Sequence, residues 1–354
     1  MSRFLSEKHS RLEPYTPGEQ PKARKYIKLN TNESPFPPSK KAIEAAAKAA
    51  ETLQLYSDPE CRKLTEKVAE HFGLKYENVL MTNGSDEILN FAFMAFCDKE
   101  HPAVFPDITY GFYSVFAEIN GVPFETIPLK EDFTIDKNDY IGINKNIFIA
   151  NPNAPTGIAM PLSDIEEIVA SNPRNIVVID EAYVDFGALS AVSLIPKYDN
   201  LLVTQTFSKS RSFAGARLGM GLAQSSLIAD LNMMKYSTNP YNINSLTMAA
   251  GIGIMEDEEY TEKNCKTIIE TREKTVEALR KLGFFCLPSS ANFVFAKHNA
   301  LSGLETYEAL REKGILVRHF EKERLRDFNR ITIGSADEMD ALVLALKEIL
   351  EEQK

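Results

Sequence analysis

The chain has 354 residues, of which 44% are hydrophobic and 25% charged with the two signs interspersed, so it can bury a large core and is not built as a disordered chain. A formal net charge of −10 without a run of five or six like charges excludes a nucleic-acid footprint. Cys61, Cys97, Cys265 and Cys286 form no paired spacing, the five histidines show no ligand pair, and no stretch approaches 18 apolar residues. No metal and no membrane contact is therefore expected, and the polar first ten residues suit a cytoplasmic location.

Residues 1–39 hold six prolines and read as an extended arm that wraps a surface. The Ala-rich run from Lys40 to Leu53 reads as a helix. Ser57 and Glu60 have the spacing of a capping box for a second helix, with Leu64, Val68 and Phe72 on one face and Gly73 as its stop. Short runs rich in β-branched and aromatic residues follow at 79–82, 103–106, 123–128, 147–150, 176–180, 201–205 and 217–222, several separated by helical patterns. This alternation predicts an α/β fold with a mostly parallel seven-stranded sheet covered on both faces, in a large domain spanning 40–255. A long helix from about Glu258 to Leu282, strands near 284–287, 291–296, 315–319 and 330–333, and a final helix capped by Ser335 and Glu338 predict a small α+β domain at 256–354.

In open α/β sheets the ligand crevice lies beyond the carboxyl ends of the strands. Four strand ends are unusually polar: Asn83-Gly84-Ser85-Asp86-Glu87, Asn151 to Gly157, Asp180-Glu181-Ala182-Tyr183, and Thr206-Phe207-Ser208-Lys209 with Arg217 beyond it. Singly they are ordinary: an Asn-Gly pair makes a turn, an acidic strand end caps a helix, and a lysine sits on a surface. Together they bring an anion nest at a helix N-terminus, a carboxylate, a phenol, hydroxyls, an amine and a guanidinium to one crevice. That set meets the needs of pyridoxal 5′-phosphate: an amine for its aldehyde, a carboxylate for its ring nitrogen, and donors for its phosphate and ring oxygen.

The succession N-P-N-A-P-T-G (151–157), V-V-I-D-E-A-Y (177–183) and T-F-S-K-S-R-S-F-A-G-A-R-L-G (206–219) resembles the class II aminotransferases of pyridoxal-phosphate fold type I. Within them L-E-P-Y-T-P-G (12–18), L-N-T-N-E-S-P-F (29–36), L-Y-S-D-P (55–59), S-A-N-F-V-F (290–295) and G-I-L-V-R (314–318) look most like the histidinol-phosphate aminotransferases. The resemblance implies that Lys209 bonds the cofactor and Asp180 partners the pyridine nitrogen. It further implies that Tyr183 donates to the ring oxygen, Tyr110 stacks on the ring, and Gly84, Ser85, Asp86, Thr206, Ser208 and Arg217 hold the phosphate. Tyr56 would reach the cofactor of the other subunit of a homodimer. Arg330, with Arg318 as a second candidate, would bind the substrate anion, and Tyr15 would close over the imidazole. Where the family commonly carries Asn before P-T-G this chain has Ala154; Asn153, one residue away, either replaces it at the ring oxygen through a shifted turn or only shapes the loop as an Asx-turn.

The reaction so implied converts L-histidinol phosphate and 2-oxoglutarate to imidazole-acetol phosphate and L-glutamate, a step of histidine biosynthesis. An aromatic-amino-acid aminotransferase shares every cofactor residue, and a decarboxylase of phosphorylated amino acids keeps the same motifs. A non-enzymatic amine sensor would call for an appended DNA-binding segment and a basic patch, and the sequence has neither.

Overall fold

A computed structural model of the chain describes residues 2–10, 12–21 and 24–352. Met1, Arg11, Lys22, Ala23, Gln353 and Lys354, which belong to the expected arm and small domain, lie outside the described residues. In chain order the elements of the larger body are β1 (Ile27–Lys28), α1 (Lys40–Ala49), α2 (Arg62–Phe72), β2 (Val79–Thr82), α3 (Ser85–Phe96), β3 (Ala103–Pro106), α4 (Phe112–Asn120), β4 (Phe124–Ile127), β5 (Asn146–Ala150), α5 (Leu162–Ser171), β6 (Val177–Asp180), β7 (Leu201–Thr206), β8 (Gly219–Ala223), α6 (Ser225–Thr238) and α7 (Ser245–Met255). The chain continues through α8 (Glu258–Lys281), β9 (Phe284–Cys286), β10 (Phe293–His298), α9 (Gly303–Glu312), β11 (Ile315–Leu316), β12 (Arg318–His319), β13 (Asn329–Thr332) and α10 (Ala336–Glu352).

Seven strands form one sheet in the order β2-β8-β7-β6-β5-β3-β4, with β8 alone running against its neighbours. Every residue of β5, β6 and β7 is buried, as expected for parallel strands covered on both faces. Their side chains alternate between two cores. Ile147, Ile149, Val177, Ile179, Leu201 and Val203 pack with Leu64, Ile165 and Ile254, whereas Phe148, Val178 and Leu202 pack with Ile88, Tyr113 and Leu231. Each such side chain contributes about 1.5–3 kcal/mol through burial. The crossed strands bring the carboxyl ends of β5, β6 and β7 side by side, which is where the polar strand ends of the sequence meet.

A second sheet, β12-β13-β10-β9, is backed by α8 and α10. The capping box at Ser335 forms as the sequence predicts, with Ser335 N–H donating to Glu338 Oε2 at 2.8 Å and Glu338 N–H to Ser335 Oγ at 3.3 Å. The box expected at Ser57 does not. Ser57 Oγ donates instead to Ile243 O at 2.6 Å, and the neighbouring Asp58 carboxylate takes the N–H groups of Glu60 and Arg62, so α2 begins later, at Arg62. The arm also does more than wrap a surface: β1 pairs in parallel with β11, and Leu29 enters the core of the smaller body.

The two bodies meet along an apolar seam in which Ile108, Leu129 and Phe133 of the first touch Leu287, Phe295, Leu325 and Phe328 of the second.

Candidate active site

The turn after β2 enters α3 through Gly84, whose φ of +78° suits glycine. Two missing side chains shape the place. A Cβ on Gly84 would fall 2.6 Å from Arg217 Nη2, and one on Gly219 would fall 2.4 Å from the Gly84 carbonyl carbon. The turn is thus pressed against β8 with the Arg217 guanidinium directly over it, at the positive end of a helix that attracts phosphate. Arg217 Nη2 lies 3.0 Å from Asp86 Oδ2 and Nη1 donates to Ser208 Oγ at 3.4 Å, while Thr206 Oγ1 donates to Ser208 Oγ at 3.0 Å. Asp86 Oδ1 accepts the Tyr110 hydroxyl at 2.7 Å.

Asp180 closes β6 and is buried. Its Oδ2 accepts the Tyr113 hydroxyl at 3.1 Å and its Oδ1 the Ala182 N–H at 3.2 Å. Burial pushes this carboxyl up to about 7, and these two bonds oppose that rise. A cationic ring nitrogen beside it would hold it ionised for the same reason, by an opposite charge in a dry place.

Lys209 follows β7. Its Nζ donates to Thr31 O at 3.2 Å and stands 6.0 Å from the centre of the Tyr183 ring. Desolvation, then the positive charge of Arg330, lowers its ammonium to about 8, Glu33 opposing and Arg217 assisting. The residue as a whole is partly exposed although its amine is enclosed. Tyr183 OH accepts from Asn32 Nδ2 at 2.9 Å, which leaves the hydroxyl proton free for another acceptor. Asn32 is held in that orientation by Thr332 Oγ1, which donates to its Oδ1 at 3.0 Å.

Arg330 on β13 donates through Nη2 to Asn30 O at 3.2 Å and lies 5.3 Å over the Phe293 ring, while its buried Nε has no partner among the described residues. Desolvation lowers its affinity for its proton, and the phenols of Tyr183 and Tyr15 counter this. Tyr15 stacks on Phe112 at 4.4 Å and reaches to 6.4 Å from Tyr110, so the arm does meet the crevice.

Three expected residues are engaged by other parts of the chain. Asn153 is buried with its amide tied into the loop: Nδ2 donates to Ile108 O at 2.9 Å and Oδ1 accepts Thr109 Oγ1 at 2.9 Å. Arg318 donates to the Thr16 and Pro17 carbonyls at 3.1 and 3.3 Å and thereby fastens the arm. Tyr56 is 83% exposed and stacked on Tyr241 at 4.6 Å, on the outside of the chain. Conversely, Tyr113, Asn32 and Thr31 touch the key groups although no sequence motif singled them out for that.

The residues present fit pyridoxal phosphate: an enclosed amine, a buried carboxylate, a phenol with a free proton and an arginine over a glycine turn converge on one crevice. The sequence pattern of the family Aminotransferase class I and II matches residues 24–346. The chain belongs to the class I and II aminotransferases. As an aminotransferase of this family it is an enzyme that uses pyridoxal 5′-phosphate. It is 48% identical over 353 residues to the histidinol-phosphate aminotransferase of Brachyspira hyodysenteriae, covering 99% of this chain and 100% of that one. Among solved structures, an aminotransferase from Erwinia carotovora atroseptica described as a putative histidinol-phosphate aminotransferase superposes with a TM-score of 0.85 at 28% identity, over 93% and 97% of the two chains. The Sinorhizobium meliloti histidinol-phosphate aminotransferase in complex with pyridoxal-5′-phosphate has the same fold, with a TM-score of 0.85 at 24% identity over 94% and 93%. Among the described residues no helix is long and apolar enough to cross a membrane.

Proposed function

We propose that this aminotransferase exchanges the amino group of L-histidinol phosphate with 2-oxoglutarate, giving imidazole-acetol phosphate and L-glutamate, as a cytoplasmic homodimer of chains divided into an arm (1–39), a large domain (40–255) and a small domain (256–354). The observation that carries the substrate reading is Arg330, a buried guanidinium with an unpartnered Nε, in a crevice that also holds the rings of Tyr15 and Tyr110. Its planar fork suits both a phosphate and a carboxylate, and the two amino donors of the cycle carry one or the other. The full-length likeness to a histidinol-phosphate aminotransferase supports the same choice.

The cofactor, when bound, supplies an aldehyde that bonds an amine and a ring that accepts the electron pair of the amine-bearing carbon. In this reading Lys209 holds it, and Lys209 Nζ, once released, takes the proton from that carbon and later delivers it. A lowered ammonium suits this work, because an amine near neutrality can both accept and give. Asp180 keeps a negative charge at the ring nitrogen, with Tyr113 fixing the carboxylate plane. Tyr183 would donate its hydroxyl proton to the ring oxygen, with Asn153 either joining it there or shaping the adjoining loop, and Tyr110 would stack on the ring. The backbone N–H groups of Gly84, Ser85 and Asp86, together with the side chains of Thr206, Ser208 and Arg217, would hold the phosphate. Arg318 acts on the substrate through the arm it holds. Leu53, Leu55, Tyr56, Met233, Tyr236 and Tyr241 expose apolar surface outside the crevice, which supports a dimer in which Tyr56 reaches the partner's cofactor phosphate.

The stack of Tyr15 on Phe112 also favours a second reading, an aromatic-amino-acid aminotransferase. Following the cofactor absorbance in single half-reactions with histidinol phosphate, phenylalanine, phosphothreonine and glutamate separates them. Faster conversion of phenylalanine than of histidinol phosphate would replace the first reading by the second.

A further inference from the structure

The segment between β12 and β13 begins with Phe320, whose ring centre lies 5.8 Å from the Arg330 guanidinium, and farther on its Arg324 crosses the seam between the two bodies. Its Nη1 donates to Leu129 O at 3.0 Å and its Nη2 to Lys130 O at 2.6 Å. Nη1 also lies 3.7 Å from Asp107 Oδ2, and the guanidinium stands 5.1 Å over the Phe133 ring. Asp107 is itself tied to the same segment, since its Oδ1 accepts the Leu129 N–H at 2.9 Å.

On both sides of this clasp the chain leads directly into the crevice. Past Asp107, Ile108 and Thr109 hold the Asn153 amide and Tyr110 holds Asp86, so this loop is one wall of the crevice. Past Arg324, β13 begins and carries Arg330, on the opposite wall. Around the clasp the seam is apolar and non-directional, favouring closeness without fixing a register, while farther along it Ser290 N–H donates to Gly157 O at 2.8 Å and Arg272 Nη1 to Phe186 O at 2.9 Å. A cavity of about 450 Å³ beside it, lined by Phe133, Phe285, Lys297, Arg324 and Phe328, leaves room for the two bodies to shift. The paired hydrogen bonds of Arg324 are the directional element that ties the segment leading into β13 to the Leu129–Lys130 segment.

We propose that Arg324 is a positioning residue for transamination, locking the small-domain strand that carries Arg330 onto the large-domain loop that carries Tyr110. This rests on the reading of Arg330 as receptor of the substrate anion. Without the clasp the population with the correct span falls, and apparent affinity falls by the same fraction. Lys209 and Asp180 both stand on the large body, so their spacing does not depend on the clasp.

The test compares wild-type holoenzyme with Arg324→Ala and Arg324→Lys in steady-state kinetics on glutamate and histidinol phosphate, alongside cofactor affinity and the thermal midpoint. For Arg324→Ala, KM should rise about tenfold for both donors, equal to about 1.4 kcal/mol, with kcat within about twofold and cofactor affinity retained. Arg324→Lys, a point charge without the planar fork that fits both carbonyls, should lie between, and it carries the test if the alanine variant does not fold. Added guanidinium ion at millimolar concentration should lower KM in Arg324→Ala and leave wild type unaffected. Unchanged KM, or a lower thermal midpoint with unchanged kinetics, would overturn the proposal, as would loss of cofactor or absence of rescue by guanidinium. Because glutamate is one of the two donors, a wild type that ignores histidinol phosphate removes the substrate reading while leaving the Arg324 test in force.

Discussion

Tyr113, fully buried on α4, donates its hydroxyl to Asp180 Oδ2 at 3.1 Å, so the carboxylate at the end of β6 is oriented by a helix on the far side of the sheet end. In Tyr113→Phe that bond is gone while the ring stays, and burial is opposed by one bond fewer. We expect kcat to fall by about tenfold, the scale of one hydrogen bond to a charged group, with cofactor affinity little changed. Asp180→Asn should lose far more turnover than cofactor binding, because shape is kept and charge is removed. Wild-type turnover in Asp180→Asn would contradict the role of that charge at the ring nitrogen.

Lys209→Ala should yield a folded protein without covalent cofactor and with almost no turnover. Borohydride reduction of the wild type followed by peptide mapping should locate the label on Lys209. A label on another lysine ends the assignment.

The enclosed amine also predicts a pH dependence. Its ammonium lies near 8, below the ordinary 10.5, and only the neutral amine attacks an aldehyde. Cofactor capture by the apoenzyme, followed by absorbance, should therefore accelerate as pH rises through about 8 and level off above it. Between about 8 and 10.5 the unfolded chain binds a proton here that the folded chain does not, so this group adds stability as pH rises across that window. A capture rate flat from pH 7 to 9 would show that the amine is not so perturbed.

Tyr56, exposed in one chain, is expected to complete the site of a second. Mixed dimers of Tyr56→Phe and Lys209→Ala subunits then contain one site with both defects and one with neither. Activity should recover beyond either parent on mixing. No recovery despite demonstrated subunit exchange would detach Tyr56 from the neighbouring site.

Arg330→Lys replaces a fork by a point charge and should weaken both half-reactions by roughly 1–3 kcal/mol of transition-state binding. Tyr15→Phe should impair histidinol phosphate more than glutamate, which single-turnover rates with each donor can resolve. Equal losses would separate Tyr15 from the imidazole end of the substrate.

The central strands were legible because burial on both faces forces unbroken apolar runs, and β5, β6 and β7 lie where those runs lie. Lys209, Asp180, Tyr183 and Arg217 could be singled out because each sits at a strand end in a local motif. Tyr113 could not, since it meets Asp180 from 67 residues away and looks locally like a helix ring, and Asn32, although within L-N-T-N-E-S-P-F, finds its partner Tyr183 151 residues away. The cap at Ser57 failed for a related reason: the spacing was right, but a distant carbonyl, Ile243 O, drew the hydroxyl away. Arg318 lay in a motif, and only the folded arm reveals the two carbonyls it holds.

The parallel pair of β1 with β11 joins residues about 290 positions apart. On a ribosome adding about 5–20 residues per second, Ile27 must wait roughly 15 to 60 s before Ile315 exists to receive it. The seven strands end at Ala223 and the helices that cover them at Met255, so that sheet can assemble during the delay. The Thr31 carbonyl that holds Lys209 Nζ comes just after β1, so the last partner of the reactive amine is set only when the newest part of the chain captures the oldest.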